Sequence, residues 1–267
     1  MRFVVENRAA CRLALGLSVA LAIVLTNRNV NASPLGHGSF SGTTVDFVAV
    51  TEDSTTDDVS LPGGALFGAP SLVNDTLVFS TPNFAASASG AGGSDTVNGK
   101  LTLTINAKPG FFIERIAISE VGDYLLGGFG GAGTAASVFG GLAVTDLTFS
   151  TGTFTDPVSV LPKSTFSHAT LDFTGTYSGA AEIDFVNDLF LVGITSVSVD
   201  FENNLMATSE AFTTSTIKTA FEALQGITVG TAPGPVIPEP SSFLLAAMAV
   251  GCGAVRWRAG QRRRKSS

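Results

Sequence analysis

The side chains in this chain that are best suited to chemistry are its carboxylates. The sequence has 22 Asp and Glu residues but only two histidines, His37 and His168, and two cysteines. Carboxylate oxygens are hard ligands of the kind that Ca²⁺ prefers. They make calcium the one candidate cofactor, with a solvated acidic surface as the alternative interpretation. The candidate ligands are the pairs Glu52-Asp53 and Asp57-Asp58 and, as the main set, Asp184, Asp188, Asp200 and Glu202.

Nucleophilic catalysis has weak support in the sequence. Ser167, His168 and Asp172 have the residue types of a hydrolase triad. However, neighbouring side chains of a strand point to opposite faces, and no G-x-S-x-G motif accompanies them. The glycine-rich segment 127–133 lacks the Lys-Ser/Thr of a phosphate-binding loop, which favours a loop or turn there. We therefore assign no catalytic residue and predict a protein that is not an enzyme.

The distribution of charge separates the chain into three parts. Residues 33–240 contain 21 acidic and five basic side chains, a net charge of −16, whereas both ends are basic. So acidic a middle part excludes nucleic acid as a partner, since phosphates need a basic footprint. Both cysteines, Cys11 and Cys252, lie in the terminal segments, so the middle part has neither a disulfide nor a cysteine-based zinc site.

The middle part has the pattern of many short strands. In residues 101–106, Leu101, Leu103 and Ile105 alternate with polar residues, and Gly, Asn, Asp and Pro separate such segments along the chain. This predicts an all-β fold, a jelly-roll-like β-sandwich ectodomain over 33–229. The other predicted strands are 43–50, 75–80, 111–120, 142–150, 165–177, 181–186 and 194–201.

Two local segments need separate treatment. Asn98-Gly99 precedes a clear strand and predicts a type I′ hairpin turn. Residues 211–224 combine a helical spacing of apolar residues with four threonines, so both a helix and a strand stay open.

The 20 phenylalanines are expected mainly in the core between two facing sheets. The middle part has no Trp and only two Tyr, so aromatic platforms for sugar rings are scarce.

The N-terminal segment has the pattern of a secretory signal peptide. Arg2, Arg8 and Arg12 precede the apolar residues 13–25, and Val30 and Ala32 occupy positions −3 and −1 of an A-x-A-like site. We expect a signal helix within 1–32, cleavage after Ala32 and export through the secretion machinery. An uncleaved anchor or a buried core helix is the alternative.

The C-terminal segment has three parts in a fixed order. A linker (230–236) leads to Pro238, Glu239 and Pro240 within 237–242, then to an apolar stretch (243–255) and a basic tail (256–267). A helix of 13 residues spans about 20 Å, less than a bilayer core of about 30 Å, so it would be a short transmembrane helix. The positive-inside rule keeps the basic stop in the cytoplasm. Its residues are Arg256, Arg258, Arg262, Arg263, Arg264 and Lys265.

This order of Pro-Glu-Pro, short apolar stretch and arginine cluster resembles the PEP-CTERM sorting signal of bacterial surface proteins. The resemblance implies that an exosortase, a membrane-embedded processing enzyme, recognises Pro238, Glu239 and Pro240 and acts near them. It also implies transient residence in the inner membrane, followed by the cell surface or extracellular matrix. An ordinary single-span tail anchor is the alternative. Tails of this type have also been catalogued under an ice-binding-protein name, but that name does not imply an ice-binding activity.

The middle part is similar to an ectodomain of PEP-CTERM proteins from planctomycete-type bacteria. The similar phrases are LFGAP (66–70), NDTLVFSTPNF (74–84), GKLTLTI (99–105), ISEVGDY (118–124) and FENNLMATSE (201–210). That family lends no catalytic residues. We therefore expect an exported surface or matrix protein of unknown molecular activity. A polysaccharide-binding module, calcium-assisted or not, is the alternative, and a secreted hydrolase using two carboxylates is a further one.

Overall fold

The computed structural model describes residues 33–161, 163–187, 189, 191–220 and 226–234. The predicted signal peptide, sorting motif, transmembrane helix and basic tail, with Ala32 and Asp188, lie outside the described residues. Among the described residues, no helix has the length and apolar character that a bilayer crossing requires.

The described part is all-β, and every strand pairing in it is antiparallel. Among the described residues, the one helical element is a short 3₁₀ turn at His168–Thr170. The strands are β1 Leu35–Ser41, β2 Val45–Asp53, β3 Ser71–Val73, β4 Thr76–Val78, β5 Ala85–Ser89, β6 Gly93–Ala107, β7 Phe111–Gly127, β8 Ala135–Asp146, β9 Thr153–Pro157, β10 Ser159–Leu161, β11 Thr165–Ser167, β12 Thr174–Asp184, β13 Ser196–Ser209, β14 Thr214–Ala220 and β15 Gly226–Pro233.

The strands form two sheets. The first sheet has the order β1-β2-β6-β13-β8-β11, and β9 also pairs with β8. The second sheet has the order β10-β12-β7-β15-β4-β3, and β14 pairs with both β7 and β5. Neighbours such as β6 and β13 are far apart in sequence, so the order of strands in each sheet is set by long-range pairing.

One hydrophobic cluster takes side chains from both sheets. Alternation along β13 buries Val197, Val199 and Phe201 while their neighbours face outward. Across the cluster, Phe201 packs edge-on against Phe67 at 6.1 Å between ring centroids, and Tyr124 stacks on Phe166 at 3.9 Å. The expectation that phenylalanines fill the core is confirmed for many of them, but Phe129, Phe139 and Phe212 are among those exposed.

The predicted turn at Asn98-Gly99 is wrong, because both residues lie inside the long strand β6. The physical reason is packing from outside the local sequence. A Cβ on Gly99 would lie 2.7 Å from a ring carbon of Phe67 and 2.9 Å from one of Phe84. The glycine is therefore required for close approach of these rings, and Asn98 extends its side chain from the strand instead of turning the chain.

Two further boundaries differ from the sequence-based expectation, and the segment with two open interpretations contains a strand. Residues 165–177 do not form one strand, because the 3₁₀ turn separates β11, in the first sheet, from β12, in the second. Residues 230–233, expected in the linker, belong to β15, which pairs with β7 as far as Pro233. The undecided segment 211–224 contains strand β14, in agreement with its threonines.

Candidate functional site

An open groove of about 670 Å³ lies on the outer face of the first sheet and is larger than a neighbouring depression beside Ile183. Strands β6, β13, β8 and β9 form it side by side. Lys100 pairs with Glu202, Glu202 with Gly141, and Gly141 with Pro157, so one row of residues crosses the whole groove. Its lining residues are Lys100, Phe139, Gly140, Gly141, Leu142, Ala143, Thr155, Asp156, Pro157, Asp200, Glu202 and Asn204.

The floor of the groove exists because β8 has small residues at its centre. Gly141 and Ala143 lie opposite Glu202 and Asp200, and neither has a side chain long enough to fill the space above the sheet. Phe139, two residues before Gly141, closes one end and is 54% exposed. Together they form a recess bounded by an aromatic ring and a polar strand.

The polar wall of the groove is built from alternate residues of β13. Asp200, Glu202 and Asn204 face outward, while Phe201, Asn203 and Leu205 are buried. Lys100 Nζ lies 2.9 Å from Asp200 Oδ1, and this hydrogen bond raises the pKa of the lysine above its ordinary value. Lys100 therefore stays charged and partly neutralises the wall.

Asn98 fixes the position of Glu202. Its side-chain Nδ2 donates to Glu202 Oε1 at 2.8 Å and to Asn204 Oδ1 at 2.6 Å. Its own Oδ1 accepts from the hydroxyl of Thr55 at 3.2 Å. Asn98 is only 8% exposed, so a buried and hydrogen-bonded amide holds the side chains of Glu202 and Asn204 in place.

The four main calcium candidates do not form one site. Asp200 and Glu202 face the groove, whereas Asp184 ends β12 in the second sheet. There Asp184 accepts hydrogen bonds from the backbone N–H groups of Asn187 and Val186, which lower its pKa. Among the described residues, no three His, Cys, Asp or Glu side chains converge to hold a metal ion.

Glu52, one of the four other carboxylate candidates, has a structural role. It is fully buried, and its Oε1 accepts from the backbone N–H of Leu66 and, at 3.0 Å, from that of Phe67. Its Oε2 lies 3.1 Å from His37 Nε2. Glu52 therefore anchors the loop before β3 and β4 to the first sheet.

The triad residues do not form a catalytic relay. His168 is buried, its Nδ1 accepts from the N–H of Gly130 at 3.0 Å, and its Nε2 lies 3.2 Å from the carbonyl of Leu126. Asp172 instead accepts from Lys163 and from the backbone N–H of Ser167. His168 therefore has a structural role in this fold, and the glycine-rich segment forms the turn to which it is hydrogen-bonded.

Sequence reasoning found Asp200 and Glu202 but missed Phe139, Lys100, Asn98 and Asn204. The strongest available signal was the alternation in residues 200–205, where polar residues occupy every second position of a predicted strand and its continuation. Nothing local indicated that Phe139 would stand beside them.

These features define an all-β protein of two antiparallel sheets with a ligand-sized groove on one outer face. Beyond that class, comparison assigns no relative: no protein-family model and no curated protein matches the sequence.

Proposed function

We propose that this chain is a non-enzymatic, exported cell-surface or extracellular-matrix protein that an exosortase-type enzyme sorts through Pro238, Glu239 and Pro240. The observation that carries the proposal is the order of motif, short apolar stretch and basic cluster at 238–265, paired with a signal-peptide pattern at 1–32. The two sheets would then form a jelly-roll-like β-sandwich ectodomain, supported by the single core that both sheets share.

Mass spectrometry of the protein's C-terminus in native cells tests the sorting proposal. We expect a mature surface form that ends near 238–240 and lacks the arginine tail. Replacing the glutamate of Pro-Glu-Pro (Glu239→Gln) should leave the tail uncleaved, whereas Ser242→Ala, two residues after Pro240, should be processed normally. An intact arginine tail on the wild-type protein in the surface fraction would refute sorting and favour a plain anchor.

A second candidate function, binding of extracellular polysaccharide, is favoured by the groove on the first sheet. Phe139 offers a flat apolar face, and Glu202 and Asn204 offer acceptors and donors beside it, which is the combination that a sugar ring with its hydroxyl groups requires. The high negative charge of the domain disfavours acidic polysaccharides. The expected ligand class is therefore a neutral or amino-sugar polymer.

Hydrolysis is less well supported than binding by the same groove. A glycosidase needs one carboxyl group whose proton is retained near neutral pH, usually through burial. Asp200 is 39% exposed and bonded to Lys100, and Glu202 is an exposed residue of β13. Neither lies in the apolar surroundings that would make it a general acid.

Co-sedimentation with an insoluble neutral polysaccharide and with an insoluble amino-polysaccharide tests the binding proposal. Replacing the aromatic ring (Phe139→Ala) should weaken binding about two- to thirteenfold, since an aromatic contact contributes about 0.5–1.5 kcal/mol beyond its buried area. Phe129→Ala is the matched control, because Phe129 is fully exposed on the β7–β8 turn and does not line the groove. Equal losses in both variants, or no binding of either polymer, would refute the proposal.

A further inference from the structure

A carboxyl group and an amide meet inside the core, between the two sheets. Glu120 of β7 is 2% exposed and Asn203 of β13 is fully buried. Asn203 Nδ2 donates to Glu120 Oε2 at 2.5 Å. Neither residue was singled out by its sequence, and neither lines the groove.

The pair leaves two buried oxygen atoms without a hydrogen-bond partner. These are Glu120 Oε1 and Asn203 Oδ1, the second oxygen of each group in the contact. A carboxylate oxygen and an amide oxygen both only accept hydrogen bonds, so as an ionised pair they cannot satisfy each other. Leaving polar atoms unpaired in the interior is costly, and native proteins rarely do so.

One proton on the carboxyl group would satisfy both atoms at once. An acid and an amide that already share an N–H···O bond can close a ring when the acid O–H donates to the amide oxygen. We propose that Glu120 is a neutral carboxylic acid in the folded protein, and that its Oε1–H donates to Asn203 Oδ1. The two sheets are then joined at this point by two hydrogen bonds.

The surroundings support a neutral group. Glu120 takes part in none of the ion pairs among the described residues. The titratable side chain that faces it is Tyr177 of β12, whose pKa is raised by burial, so it offers no positive charge that would favour an ionised Glu120. Burial raises the pKa of Glu120 to about 7.

A glycine on the neighbouring strand makes room for the carboxyl group. Gly179 lies opposite Glu120, on β12. A Cβ on Gly179 would lie 3.0 Å from Glu120 Oε1. The backbone of β12 therefore lies close to the carboxyl group and restricts the access of water to it.

The pair also lies directly beneath the polar wall of the groove, because Asn203 stands between Glu202 and Asn204. We expect ligand binding to weaken as Glu120 loses its proton; this consequence alone rests on the proposed binding function.

Thermal unfolding of the full chain across pH 5 to 8.5 tests the proposal. The folded-state pKa lies above the ordinary value of 4.5, so the folded protein keeps a proton that the unfolded chain releases. Stability from this group is therefore complete below pH 4.5 and is lost as the pH rises through about 7. Glu120→Gln donates and accepts in the same pattern without titrating. Its melting temperature should exceed that of the wild type by several degrees at pH 8 and by much less at pH 5.

The matched control is Glu182→Gln, an exposed glutamate of β12 that pairs with Arg115. It should show no such change with pH. Infrared spectroscopy of the folded wild type at pH 6 should show a protonated carboxylic acid band that is absent in Glu120→Gln. Absence of that band, or a difference between Glu120→Gln and wild type that stays constant from pH 5 to 8, would overturn the proposal. Both readouts are independent of polysaccharide binding.

Discussion

Gly140 and Gly141 are neighbours in β8, but a methyl group should have opposite effects at the two positions. A Cβ on Gly140 would lie 2.4 Å from the carbonyl oxygen of Glu202 and 3.3 Å from Asn203 Cα. These atoms belong to β13, which is paired on both sides by β6 and β8 and therefore cannot shift easily. A Cβ on Gly141 would have only the Asp156 carbonyl oxygen within reach, at 3.9 Å, an ordinary contact.

The expected magnitudes follow from these distances. Overpacking against fixed backbone costs about 1–3 kcal/mol, so Gly140→Ala should lower the free energy of unfolding by that amount. For a domain of this size, the melting temperature changes by about 2–4 °C per kcal/mol, which gives a decrease of about 2–12 °C. The methyl group of Gly141→Ala makes no clash, and the substitution reduces the conformational entropy of the unfolded chain. It should therefore be neutral or stabilise the protein by up to about 1 kcal/mol.

Circular dichroism of the strand signal during heating measures both variants against wild type. The two substitutions are chemically identical and adjacent, so each controls for the other. Equal destabilisation by both, or no effect of Gly140→Ala, would refute the packing of β8 against β13 described above. Gly141→Val extends the test to function, because its side chain should fill the floor of the groove and reduce polysaccharide binding while the protein stays folded.

Two more predictions concern carboxylates. Burial alone would raise the pKa of Asp146, but hydrogen bonds from Thr151 and from the backbone of Phe149 and Thr148 outweigh burial and hold it below its ordinary value. The stability that this carboxylate contributes is present above pH 4 and is lost as the pH falls. The Asp146→Asn variant should therefore show a weaker dependence of stability on acid pH. At pH 7 the substitution should lower the free energy of unfolding by about 1–3 kcal/mol, measured by urea titration. Millimolar calcium against chelator should leave the melting temperature unchanged, because Lys100 holds Asp200 and Asn98 holds Glu202; a rise of several degrees would contradict the hydrogen bonding of these side chains.

The strands were predictable where alternation of apolar and polar residues is regular. Leu101, Leu103 and Ile105 indicated a strand because one face of an antiparallel sheet is buried and the other is not. Asn98-Gly99 misled because the turn signal is local, whereas the glycine is required by Phe67 and Phe84, which reach it from a distant part of the chain. Tertiary packing decided that position.

The groove could be predicted only in part for a similar reason. Asp200 and Glu202 stand out in the sequence as alternating carboxylates. Their partners Lys100 and Phe139 come from other strands, and which strands lie beside β13 depends on pairings separated by up to about a hundred residues. The Glu120–Asn203 contact is harder still to predict from the sequence, because its two residues belong to different sheets and meet only when the sheets pack together.

Strand β15 gives the domain a mechanical property. It pairs with β7 on one side and with β4 on the other, and Gly234, just beyond it, donates to the carbonyl of Gly110 at 2.7 Å. Hydrogen bonds between antiparallel strands run perpendicular to the strands. A force on residue 234 along the axis of β15 therefore loads the bonds between β15 and β7 in shear. In this geometry the bonds carry the force together and do not break one after another. The rate of forced unfolding would then depend on breaking a whole ladder at once. A domain held at this strand would resist tension best along the axis of β15.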